Sequence, residues 1–153
     1  MSKINDTVKK ELEKILSLIA IKADIEIEQN EILIFKIIPN DPKDSSLLVG
    51  WHGQTLKALE HLLKVISSHK LKDKYEPFVI DVSGYRERRE SYLKNIALKA
   101  AERVKATGRS VVLDPMSPAE RRVVHMVLSD FSEITTESIG EGEDRRTVIK
   151  KEE

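Results

Sequence analysis

The segment Ser117-Pro118-Ala119-Glu120 dictates where a helix must begin. A serine hydroxyl accepts from the backbone N–H three residues on, and the glutamate returns the bond. Proline at the first helical position lacks an N–H that would have no partner there. The pattern predicts a helix over 117–130, and a helix so marked fixes the faces that follow. At 100° per residue, Val123, Val124, Val127 and Phe131 fall on one side as a core face. Arg121 and His125, four apart, share another side, flanked by Arg122 and Ser129. An Arg stacked above a His on an open helix face suits an anionic ligand.

The 153 residues suffice for one ordinary domain or two small ones. Hydrophobic content of 40% with 34% charged residues suits a folded, charge-rich chain rather than a disordered one. Absence of cysteine excludes disulfides, thiolate zinc sites and a cysteine nucleophile. No apolar run approaches the roughly 20 residues of a membrane span, and Met1 to Lys10 is too polar for a signal peptide. A cytoplasmic protein without membrane insertion is expected. The formal charge is zero, but residues 86–110 hold eight Lys/Arg against three Asp/Glu, while 131–153 hold four against seven. Local field governs polyanion docking more than the sum does. The basic stretch reads either as a solvated helix face or as a functional patch.

Along the chain, Ile4, Val8, Leu12, Ile15 and Ile19 are spaced for an amphipathic helix over 4–22. Asp24 to Glu28 and Ile32 to Ile38 read as a hairpin turning at Gln29-Asn30. A helical turn is predicted at 44–49, then Gly50-Trp51-His52-Gly53, then a helix from Gln54 to about His69 with Leu56, Leu59, Leu63 and Ile66 inward. A strand follows at 78–82. From Tyr85 to Ala106 a further helix carries Leu93, Ile96, Ala97, Ala100 and Val104 as its stripe, with Gly108 just past its end. Ser110 to Leu113, Ile134 to Ile139 and Arg145 to Lys150 read as strands. The expected class is α+β in two small domains, 1–83 and 84–153. The first is an α-β-β-α-α-β unit, the second two helices on a small three-stranded sheet.

Two glycines around Trp51 and His52 let the backbone bend tightly and let another backbone approach without a Cβ between. The following helix offers its N-terminal N–H groups to phosphates. By spacing alone Gly-x-x-Gly is more readily a tight turn than a ligand loop. Trp51 is suited to stack a base or sugar, or to pack against protein or a second subunit. Arg-x-x-x-His alone reads more readily as a solvated pair than as a binding pair, and His125 can also hydrogen-bond a neighbouring strand.

Order and motif together resemble known families. The α-β-β-α-[Gly-x-x-Gly]-α-β order of 1–83 resembles a type II KH domain, which implies about four nucleotides of single strand lying across Gly50, Trp51, His52, Gly53 and Gln54. KH loops usually place a Lys or Arg between the glycines, and this one has Trp51 and His52. Residues 116–122, the Arg121-x-x-x-His125 pair, Thr135 to Gly140 and Arg145-Arg146 are similar to the R-three-H domain. A KH domain followed by an R-three-H domain resembles the bacterial Jag family, also called KhpB, without the amino-terminal domain usual there.

The resemblance implies single-stranded RNA as partner, or single-stranded DNA, and a regulator linked to cell elongation and division. It also implies a small KH-domain protein or a second copy as partner. Arg109, Arg121, Arg122, His125, Arg145 and Arg146 are the expected contacts of the second domain. Because strand residues alternate faces, only one of Arg145 and Arg146 can share the surface of Arg121. The alternative is an interaction module whose first domain binds a protein, with nucleic acid secondary. No catalytic centre, cofactor or metal is expected: there is no Gly-Lys-Ser/Thr phosphate loop, His61 and His69 are eight apart, and Ser129, His125 and Asp130 share one helix.

Overall fold

The computed structural model describes residues 2–152, which form five helices and two three-stranded sheets in two units, one up to Arg86 and one from Glu87. Helix α1 (Lys3–Leu18) buries Ile4, Val8, Leu12 and Leu16, one position every four residues. It stops short of the expected end. Ala20 takes a left-handed φ of 58°, and the Ala20 and Ile21 N–H groups bond back to the Ser17 and Leu16 carbonyls, closing the last turn. Ile19 therefore leaves the apolar stripe and is exposed, while Leu16 takes the inward place.

Strand β1 (Ala23–Gln29) pairs antiparallel with β2 (Leu33–Pro39), and β2 pairs parallel with β3 (Phe78–Val82), in the order β1-β2-β3. Leu33, Phe35 and Ile37 alternate inward along β2 and meet Phe78 and Ile80 of β3 in the core. The parallel pairing requires a crossover. It is made by α2 (Pro42–Val49), capped by the Asp41 side chain, a 3-10 turn at Trp51–Gly53, and α3 (Gln54–Leu71). Ser67 replaces Ile66 as a buried position of α3, Ile66 being half-buried.

The first unit extends past Ser83 for a physical reason. The Asp81 carboxylate accepts from the Gly84 and Arg86 N–H groups, and Arg86 donates to the Ile80 carbonyl at 2.8 Å and to Glu60. Glu60 also accepts from the Ile80 N–H at 2.9 Å and pairs with Lys64. Residues 84–86 are thereby fastened to β3 and α3. Glu11 on α1 pairs with Lys70 on α3 at 2.5 Å, and this hydrogen bond holds the Glu11 carboxyl below its ordinary range.

In the second unit α4 (Tyr85–Thr107) presents Leu93, Ala97, Ala101 and Val104 to a core shared with α5 (Pro118–Leu128). Strands β4 (Val111–Val112), β5 (Ile134–Ile139) and β6 (Arg146–Lys151) form an antiparallel sheet in the order β4-β6-β5. On α5 the deepest residues are Val124 and Leu128; Val123, Val127 and Phe131 only border the cluster. The apolar residues of α5 span a wide arc, so packing against Ile134 and Ile149 sets which of them lie deepest.

Leu128→Ala is expected to destabilise the protein by about 2–5 kcal/mol, against less than about 0.5 kcal/mol for Met126→Ala on the exposed side, read by denaturant unfolding. The Glu11–Lys70 pair stabilises above the ordinary glutamate range, and that contribution vanishes as pH falls through the lowered value. Lys70→Met should therefore cost about 0.5–1 kcal/mol near neutrality, with the difference from the parent shrinking below about pH 4. A difference that stays constant down to about pH 2 would mean the pair contributes nothing.

Candidate nucleic-acid interface

The helix start legible in the sequence is built as a reciprocal cap. Ser117 accepts from the Glu120 N–H at 3.3 Å, and the Glu120 carboxylate accepts from the Ser117 N–H at 2.9 Å. The other Glu120 oxygen accepts from Arg89 Nε of α4 at 2.8 Å, with both side chains largely shielded from water. Arg89 also lies over the Tyr92 ring, 5.4 Å from its centre. The first turn of α5 is thus pinned to α4, and that fixes which way its remaining residues face.

Arg121 and His125 then meet β5 and β6 across an open groove of about 540 Å³. Arg121 donates from Nη1 to the Met116 carbonyl at 2.8 Å, which orients the guanidinium and leaves its other N–H groups for a ligand. His125 Nδ1 is 2.7 Å from Thr136 Oγ1 of β5, so the strand contact anticipated as one reading of this histidine is made. Nε2 is left as the ring nitrogen for other partners. Arg122, Pro118 and Ala119 complete the helix side, and Thr136, Glu137, Ser138 and Thr147 the sheet side.

The hydroxyl-bearing wall was not anticipated. Thr136 and Ser138 alternate on β5, and Ser138 stands opposite Thr147 in the β5–β6 register, so all three share the face that α5 covers. Thr147 is 2% exposed, and its hydroxyl has no hydrogen-bond partner among the described residues. Glu137 is the one acidic lining residue, and its carboxylate is paired with Lys150. The balance of the groove is cationic.

The remaining candidates separate. Arg145 has the strand parity of Thr147, and Arg146 stands opposite Ile139 on the alternate face with Nε bonded to the Asp144 carbonyl. Neither lines the groove; Arg145 reaches its margin through its carbonyl, which accepts from the Met116 N–H at 3.2 Å. Arg109 is exposed ahead of β4, outside the lining. Several cations of the basic stretch 86–110 are engaged within the protein: Arg86 with Glu60, Arg89 with Glu120, Lys94 with Glu90, and Lys105 over the Phe131 ring.

In the first unit the two glycines take positive φ, 69° at Gly50 and 81° at Gly53. A Cβ on Gly50 would lie 2.1 Å from Thr55 Oγ1, and one on Gly53 would lie 2.9 Å from the Tyr85 ring. Trp51 and Gln54 are exposed, His52 and both glycines half-buried. Among the described residues no group of three His, Cys, Asp or Glu side chains is placed to hold a metal, and no helix is long and apolar enough to cross a membrane.

Glu120→Ala should remove the returned half of the cap and leave Arg89 unpaired. The expected cost is about 1–3 kcal/mol in unfolding free energy, beyond the few tenths typical of an exposed charge. A change within about 0.5 kcal/mol would show that the cap does not hold α5 in place.

Residues 91–151 match the family model described as the R-three-H domain. The chain is 35% identical over 138 residues to the RNA-binding protein KhpB of Clostridium symbiosum, covering 90% of this chain and 62% of that protein. It is 34% identical over 140 residues to the RNA-binding protein KhpB of Bacillus subtilis, covering 90% and 66%. To the RNA-binding protein KhpB of Lactiplantibacillus plantarum it is 39% identical over 109 residues, covering 71% and 34%. The chain thus spans less than two thirds of the length of these relatives.

Proposed function

Residues 91–151 form an R-three-H domain, and from that premise we propose that the chain is a single-stranded RNA-binding regulator that performs no chemistry. The observation that carries this reading is the convergence of Arg121, Arg122 and His125 with Thr136, Ser138 and Thr147 in one groove. Arginine forks and a histidine N–H match phosphate oxygens, and hydroxyls match phosphates and ribose alike. The unpartnered Thr147 hydroxyl favours an occupant that brings a polar atom to the groove. The likeness to proteins named as RNA-binding, over 90% of this chain for two of them, supports RNA over DNA.

The first unit is read as a type II KH-like domain, residues 1–83, on its element order and on the Gly50-Trp51-His52-Gly53 loop between α2 and α3. In this reading each domain contacts single-stranded RNA, with Gln54 beside the loop of the first and Arg109, Arg145 and Arg146 as outer contacts of the second. The second reading, a module that binds a small KH-domain protein or a second copy, is favoured by the exposure of Trp51 and Leu47.

Arg121→Ala with His125→Ala should weaken binding of a labelled single-stranded RNA about tenfold or more. The slope of log affinity against log salt should become shallower by about one. Fluorescence anisotropy at several salt concentrations measures both. Parent-like affinity and slope would remove the groove from the interface.

A further inference from the structure

We propose that Trp51 is a stacking platform for one base of a single strand, so that the Gly50–Gly53 loop holds nucleic acid by a base and not by its phosphates. The inference rests on the reading of the chain as a single-strand binder and specifies how its first unit takes part.

The loop has little to offer a phosphate. No lysine or arginine stands between the glycines. Both glycine N–H groups and the first N–H of α3 are also engaged: Gly50 donates to the Ser46 carbonyl at 2.9 Å, Gly53 to the Gly50 carbonyl at 3.4 Å, and Gln54 to the Trp51 carbonyl. What remains is aromatic surface. Trp51 is 73% exposed, and its indole lies against the His52 imidazole with ring centres 4.3 Å apart and planes 19° apart. His52 reaches that position from a left-handed backbone, φ 50° and ψ 30°, which side-chain-bearing residues seldom adopt. One indole face is thus backed by imidazole, and the other is open to a flat partner.

The size of the platform favours a base over a protein. From Pro42 to Leu71 the large exposed hydrophobics are Leu47, Trp51, Leu62 and Val65, of which Trp51 alone offers a flat ring. One indole matches one base, and stacking of this kind tolerates any sequence. His52 is a positioning residue here, holding the indole without touching the strand.

Trp51 is the only tryptophan, so its emission reports on this loop alone. The full chain is titrated with a short single-stranded RNA and with an abasic strand carrying the same number of phosphates, while anisotropy of a labelled copy follows total binding. Intact RNA is expected to quench Trp51, and the abasic strand to bind without quenching. Trp51→Ala should weaken RNA binding about tenfold with an unchanged salt slope, Trp51→Phe should recover most of the loss, and His52→Gly should reduce the quench. Equal quenching by the abasic strand would overturn the inference in favour of a backbone contact. Binding by anisotropy without any quench, or parent-like affinity of Trp51→Ala, would overturn it while leaving the groove reading intact. Absence of RNA binding by the parent would remove both. A dimeric parent that Trp51→Ala converts to monomer in sedimentation would reassign the loop to a second copy.

Discussion

The carboxylate of Glu120 is the contact on which the geometry of the second unit turns. One oxygen closes the cap on Ser117 and the other takes Arg89 from α4, so the start of α5 and its rotation are set together. A surface ion pair would contribute little. This one is shielded and hydrogen-bonded on both oxygens, a setting in which removing one partner strands the other. The direction of Arg121 and His125 follows from it, since both are one turn or two beyond the cap. In the first unit Glu60 has a comparable part, accepting from the Ile80 N–H and from Arg86 so that β3, α3 and residues 84–86 are held as one piece.

Charge distribution, and not net charge, decides where an anion can approach. The most basic stretch of sequence turns Arg86, Arg89, Lys94 and Lys105 toward carboxylates or a ring of its own chain, so part of its excess is structural. The groove is less conspicuous in composition, with two arginines and a histidine, yet its one acidic wall residue is neutralised by Lys150. Placement on one face outweighs number.

What the sequence made legible was local. Ser117, Pro118 and Glu120 lie within one turn, so the cap could be read directly, and Gly108 marked the end of α4 by the same logic. The end of α1 misled because Ile19 continues the apolar period while Ala20, a residue with a Cβ, adopts the left-handed bend usually left to glycine. The core side of α5 was legible, but its deepest line was not, because Val123, Val124, Met126, Val127 and Leu128 span a wide apolar arc within which the partner sheet selects Val124 and Leu128. Thr136, Ser138 and Thr147 were invisible as a group because register, not spacing, brings them together. Alternation of Thr136 with Ser138, within the 135–140 segment that carries the family likeness, was the available signal, and it needed the pairing of β5 with β6 to acquire meaning.

The parallel union of β2 with β3 bears on how the chain assembles in time. Leu33 meets Phe78 only after α2, the 3-10 turn and α3 have been gathered between them, so the first unit must close a long loop before that ladder can form. In the second unit β5 and β6 join across a short connection, a pairing that forms early at small entropic cost. The two halves of this chain are therefore set to mature on different clocks, with the β5–β6 hairpin closing before the β2–β3 ladder.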